Sequence, residues 1–291
     1  MQTPWGDIAV RDAHVHFFGD SFYSLLTGGR AASEVRAQLG WEAADADRWV
    51  AELDRHDVAS ASLIASLHGD EESVAEAIAR HPSRFHGQFM LNPMAPDAMD
   101  RVRRAFRAGL RTMCLFPAMH RYSVAEDALT PFWNAAEGRI VFVHCGVLSV
   151  GVRKKLGLPS PFDMRFSNPL DLHGIALRNP SINFIVPHFG AGMFREALML
   201  ADLCPNVFLD TSSSNGWMKY CEAPLTLADV FRKALAVCGE GRLLFGTDSS
   251  FFPRGWVSGV LTEQTAALHE CGITGAGAAK ILGENLRRLN A

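Results

Sequence analysis

His14-Val15-His16 places two imidazoles one residue apart. Alternate residues of a strand face the same side, so both nitrogens can reach one metal ion. Alone the pair says little, because among 11 histidines chance or packing produces it as readily. Three further groups share its setting. His144 ends Ile140-Val-Phe-Val-His and runs into Cys145-Gly146, and His188 ends Ile182-Asn-Phe-Ile-Val-Pro-His and runs into Phe189-Gly190. Asp248 ends Leu243-Leu-Phe-Gly-Thr-Asp and is followed by Ser249. Each is a polar, metal-capable group closing an apolar run. An unpaired buried carboxylate is costly and buried histidines need partners, so this recurrence reads as one site.

Imidazoles with one carboxylate suit Zn²⁺ or another borderline divalent ion, with Mn²⁺ the alternative. Such an ion acidifies water near neutral pH and makes a nucleophile of it. On this reading His14, His16, His144 and Asp248 are the metal ligands. Asp248 also accepts a proton from the water. His188 polarises the electrophile or shuttles the proton, since the other histidines fill most of the shell.

The elements that must position these groups follow from the hydrophobic pattern. Strands are predicted near Ile8–His14, Ala59–Ser66, Phe85–Pro93, Leu110–Pro117, Ile140–Gly146, Ile182–His188, Val207–Ser213 and Arg242–Ser250. Their near-continuous apolar character suits parallel strands covered on both faces. Helical segments are predicted at Glu71–Arg80, Asp97–Ala108, Ala125–Ala136, Met193–Leu203 and Gly275–Leu289. Eight strands alternating with helices, with no linker between, predict one α/β domain over residues 1–291, a (β/α)₈ barrel. The connections Phe17–Ala46 and Val147–Asn168, after strands one and five, are long enough to wall a substrate site.

The same strand ends carry a resemblance. Asp12-Ala-His-Val-His, Val143-His-Cys-Gly, Pro187-His-Phe-Gly-Ala-Gly, Pro205-Asn-Val-Phe-Leu-Asp-Thr-Ser, Gly246-Thr-Asp-Ser and Lys280-Ile-Leu-Gly-Glu-Asn-Leu-Arg-Arg-Leu span almost the whole chain. Together they resemble the amidohydrolase superfamily. More narrowly, they are similar to the amidohydrolase-related branch containing aminocarboxymuconate semialdehyde decarboxylase, resorcylate-type decarboxylases and pyrone dicarboxylate lactonase. The resemblance implies His14, His16, His144 and Asp248 as ligands of one divalent metal, with His188 acting on substrate. Binuclear members bridge two metals with a carboxylated lysine at the end of strand four. None of this chain's five lysines lies on Leu110-Arg-Thr-Met-Cys-Leu-Phe-Pro, so a single metal is implied.

Hydrolysis of a lactone, ester or amide is the leading expectation, and non-oxidative decarboxylation of an aromatic or unsaturated acid the alternative. Arg153, Lys154, Lys155 and Arg165 in the fifth loop, and Arg254, would favour a carboxylate-bearing substrate if they reach the barrel mouth. By resemblance Arg195 sits where related decarboxylases supply an arginine, in some cases across a subunit boundary. Ser212, Ser213 and Ser214 could bond a substrate or cap the following segment. Phe17, Phe18, Trp217, Phe251, Phe252 and Trp256, clustered after strand ends, suit a flat substrate, although loop packing explains them equally.

Composition narrows the partners. Among 291 residues, 48% are hydrophobic and 20% charged, which excludes a disordered chain. With 28 basic against 31 acidic residues, there is no basic stripe for nucleic acid or anionic membrane. No GxGxxG, GxxxxGK[ST] or GxSxG pattern occurs. Six cysteines without a CxxC pair, and no leader-like N-terminus, make the cytoplasm the expected location. A small-molecule substrate is the expected partner, and the resemblance implies a homodimer.

Overall fold

A computed structural model describes residues 1–212 and 215–291. Its centre is eight parallel strands: β1 (Arg11–Phe17), β2 (Ser60–Ala65), β3 (Phe85–Leu91), β4 (Thr112–Leu115), β5 (Ile140–Val143), β6 (Asn183–Val186), β7 (Val207–Asp210) and β8 (Leu243–Leu244). Each pairs with its neighbour in sequence order. The ring closes where the chain beyond β8 returns to β1. The Ala13 N–H donates to Phe245 O at 2.8 Å, Asp248 N–H to His14 O at 2.9 Å, and His16 N–H to Ser249 O at 2.7 Å. The result is the predicted (β/α)₈ barrel. β2, β4, β5 and β7 are buried along their whole length, as strands between a filled interior and a helical coat must be.

β1 starts and ends three residues later than its hydrophobicity predicted. Ile8 and Val10 are buried before the ladder begins, which is why they read as strand. Regular β8 is only two residues long, because its continuation bonds to β1 through an irregular path rather than a ladder. Of the strand predicted at Val207–Ser213, the last residue lies outside the described residues. The helix at Glu71–Arg80 matches its prediction. Those at Ala98–Arg107 and Phe194–Leu203 fall within one residue of theirs. Ala125–Ala136 resolves into a 3₁₀ turn and a short helix, Thr130–Ala135.

The two long connections are folded. The first contains helices Asp20–Leu26 and Ala32–Leu39, and the second contains Gly151–Lys155. They meet in a small core of their own, made of Phe18, Phe22, Tyr23, Leu26, Val35 and Trp41 against Val152. Buried aromatic rings remove roughly 150–250 Å² each from water, enough to order a connection that lacks long helices. Among the described residues, no helix is long and apolar enough to cross a membrane.

Candidate metal centre

All the polar strand ends named above lie at one rim of the barrel. The register of β1 against β2 slips between Asp12 and Val15. This bulge packs Ala13 into the barrel interior while His14 and His16 both line the cavity above it. His188 and Asp248 occupy the left-handed region, at φ 54° and φ 57°. Non-glycine residues hold that conformation at some cost, and here it turns both side chains into the cavity at the moment their strands end. Gly246 precedes Asp248 because nothing larger fits. A Cβ there would stand 2.9 Å from Asp210 Oδ1, His14 Cβ and Ser212 Cβ.

One ligand atom each from His14, His16 and Asp248 lies within 4.8 Å of the other two. His14 Nε2 is 3.4 Å from His16 Nε2, and Asp248 Oδ1 is 3.7 Å and 3.3 Å from them. The far side of each ring is spoken for. His14 Nδ1–H donates to Asp210 Oδ2 at 2.6 Å. His16 Nδ1–H donates to Ser66 Oγ at 2.6 Å, whose own hydroxyl donates to Ile64 O. Two Nε2 lone pairs and a carboxylate oxygen therefore converge, and three acceptors cannot satisfy one another. Only a cation among them, a proton or a metal ion, resolves the contact. A borderline divalent ion fits this donor set.

The electrostatics agree. Burial would raise Asp248, but the His16 hydrogen bond and the surrounding imidazoles hold it below the ordinary carboxylate range. Burial would lower His14, but the Asp210 charge and hydrogen bond raise its affinity for positive charge. Desolvation pushes His16 down and His144 well down, so both are neutral at pH 7 and can ligate.

The structure does not bring all four expected ligands together equally. His144 lines the same cavity but stands outside the three-atom group. Its Nδ1 is buried without a hydrogen-bond partner, and its ring centroid is 5.4 Å from that of His188. His188 Nδ1–H donates to the Ser212 carbonyl at 3.1 Å, which leaves Nε2 as the free nitrogen.

The cavity measures 490 Å³, and a recess of 200 Å³ shares His144, Ser149, His188 and Asp248 with it. One wall is aromatic: Trp41 stacks on Phe251 at 4.1 Å between centroids, and Phe18 on Phe22 at 3.9 Å. Arg153, Lys155 and Arg254 line the larger cavity, and its only acidic lining residue among those described is Asp248. Arg254 donates to the Asp248 carbonyl at 3.2 Å, and Arg153 is engaged by Pro159 O. Lys154 does not line the cavity, and Arg165 is exposed and paired with Asp163.

Two predicted substrate contacts are placed differently. Arg195 is 85% exposed, pairs with Glu196 at 2.8 Å and lines neither cavity. One turn of helix carries it outward, so within this chain it does not meet the site. Ser212 has no exposed surface and bonds histidines, so no substrate can touch it. Ser213 and Ser214 lie outside the described residues. Two buried carboxylates beside these histidines carry no role in the sequence pattern read above. Asp210 closes the apolar run Val207-Phe-Leu, the same signature that marked Asp248. Asp12 accepts the N–H groups of His14 and Thr247 on Oδ1, and the Thr247 hydroxyl and Trp256 Nε1–H on Oδ2. Burial pushes it up to about 6, against the pull of those bonds.

A family model described as amidohydrolase matches residues 11–289. The protein fluG of Emericella nidulans is 32% identical over 91 residues, which is 30% of this chain. The chain spans only 10% of that curated relative's length. A structure described as a probable 2-pyrone-4,6-dicarboxylic acid hydrolase from Acinetobacter baumannii, with citric acid bound, superposes with a TM-score of 0.64 at 14% identity. It covers 97% of this chain and 99% of that one. A dihydroxybenzoic acid decarboxylase from Polaromonas sp. JS666, with manganese and 2-nitroresorcinol bound, gives 0.65 at 16% identity over 98% and 97%. At these identities the likeness is one of fold.

Proposed function

The chain belongs to the amidohydrolase family of enzymes, and from that premise we propose that it is a metal-dependent hydrolase of a small carboxylate-bearing lactone, ester or amide. The observation that carries this is the convergence of His14 Nε2, His16 Nε2 and Asp248 Oδ1, with the Nδ1 of each ring already engaged on its far side. One divalent ion, zinc by its donor set and manganese as the alternative, would supply carbonyl polarisation and an acidified water there. His14, His16 and Asp248 hold it, and His144 is the fourth ligand proposed. His188, with Nε2 facing the reaction, moves the proton between nucleophile and leaving group. Asp248 is the second proton acceptor. Arg254 and Lys155 give the cavity mouth positive charge that nearby acids do not cancel, which supports an anionic substrate. The aromatic wall excludes water and favours a flat body.

Decarboxylation is the second reading, favoured by the stacked Trp41–Phe251 wall, which suits a ring-bearing acid. The two part company over what is consumed. In H₂¹⁸O, a screen of lactones and aromatic carboxylates with Zn²⁺ and Mn²⁺ is expected to yield product carrying one labelled oxygen. Release of CO₂ with no label taken up would reject the hydrolase. A homodimer and a cytoplasmic location belong to the same proposal, the second supported by six free cysteines.

A further inference from the structure

We propose that Asp210 and Ser212, at the end of β7, form a positioning pair that couples cation binding at His14 to the hydrogen bonding of His188. The inference rests on the metal reading above. Both oxygens of Asp210 are used. Oδ2 accepts the His14 Nδ1–H at 2.6 Å, and Oδ1 accepts the Ser212 backbone N–H at 2.6 Å. The Ser212 hydroxyl oxygen stands 3.0 Å from His14 Nδ1 and 3.0 Å from His188 Nδ1. The Ser212 carbonyl accepts from that same His188 nitrogen. One carboxylate and one serine therefore hold the back of both imidazoles. Their ring centroids are 5.0 Å apart.

Neither residue can act on substrate directly. Asp210 and Ser212 are each 0% exposed, and neither lines a cavity. Both work through the rings they touch. The cluster also has no slack, since Gly246 leaves no room beneath Asp210, His14 and Ser212. A cation at His14 Nε2 makes Nδ1–H a stronger donor, and a buried carboxylate at short range is the acceptor that rewards it. As that hydrogen bond tightens toward Asp210, the Ser212 oxygen sharing the donor is released toward His188. Loading the site thus changes the hydrogen bonding around His188 Nδ1, the nitrogen that the Ser212 carbonyl also holds.

Zinc titration and imidazole ¹⁵N spectra of the whole chain test this, with His188 assigned by comparison with His188→Asn. Asp210→Asn is expected to weaken zinc binding by about 10–100-fold while circular dichroism stays native. Zinc is expected to shift the His188 ring resonances in the wild type. In Ser212→Ala, zinc affinity is expected to stay within about threefold, with that shift lost. Wild-type zinc affinity in Asp210→Asn, or a full His188 shift in Ser212→Ala, overturns the pair and leaves the metal site standing. No zinc binding by the wild type overturns both. Should Asp210→Asn fail to fold, Ser212→Ala decides alone.

Discussion

Replacing His188 with asparagine is expected to cut turnover by about 10²–10⁴-fold while metal content stays at the wild-type level. The size follows from the role, since a positioned acid–base group contributes that much. The retention of metal follows from geometry, because the tight three-atom group is His14, His16 and Asp248. Asparagine is the substitution of choice for a backbone reason. His188 holds φ at 54°, a conformation that asparagine tolerates better than other side chains. Its amide can also donate toward the Ser212 carbonyl that now takes the imidazole Nδ1–H. The measurement is kcat, with elemental analysis of the same preparation, on the substrate that the wild type turns over fastest. Unchanged kcat would remove His188 from proton transfer. Loss of metal together with activity would make it a ligand instead.

The largest effect on stability is expected at Asp12. Asp12→Ala should cost about 3–5 kcal/mol, because it takes the acceptor from several buried neutral donors at about 1–3 kcal/mol each. The carboxylate is fully buried and accepts four hydrogen bonds. Three of those donors belong to the chain beyond β8, and the fourth to His14 on β1. The regular ladder between these two strands is missing, so Asp12 does part of its work in closing the barrel. Alanine would leave the buried Thr247 N–H and Trp256 Nε1–H without their acceptor, at about 1–3 kcal/mol each. Against a domain stability of about 5–15 kcal/mol, the loss would show plainly in urea unfolding. A change below about 1 kcal/mol would mean that the β1–β8 seam holds without it.

The barrel was legible because its strands are apolar on both faces and end in polar groups that interrupt the run. That single signature located His144, His188 and Asp248 at one rim, where His14 and His16, read from their spacing, join them. Applied once more it would have found Asp210, which closes Val207-Phe-Leu in the same way. Helices were harder where their buried faces are polar. Ser258–Glu270 buries Gln264 and Thr265, with Gln264 bonded to Thr211, so its periodicity is blurred. Leu227–Cys238 carries a readable start, the Thr226–Asp229 capping box. Side-chain direction was the least legible feature. Nothing local tells that Arg195 turns outward or that Ser212 turns under the histidines, because both directions are set by residues far away in sequence. The β1 bulge is likewise invisible in the pattern, although it decides what Ala13 and the two histidines face.

Zinc titration of metal-free wild-type protein against His16→Ala, followed by calorimetry, probes the metal centre most directly. One ion per chain is expected in the wild type. In His16→Ala the same site should bind at least about 100-fold more weakly, with the fold intact by circular dichroism. Equal stoichiometry and affinity in the two proteins would contradict the assignment of His14, His16 and Asp248 as the centre of the chemistry.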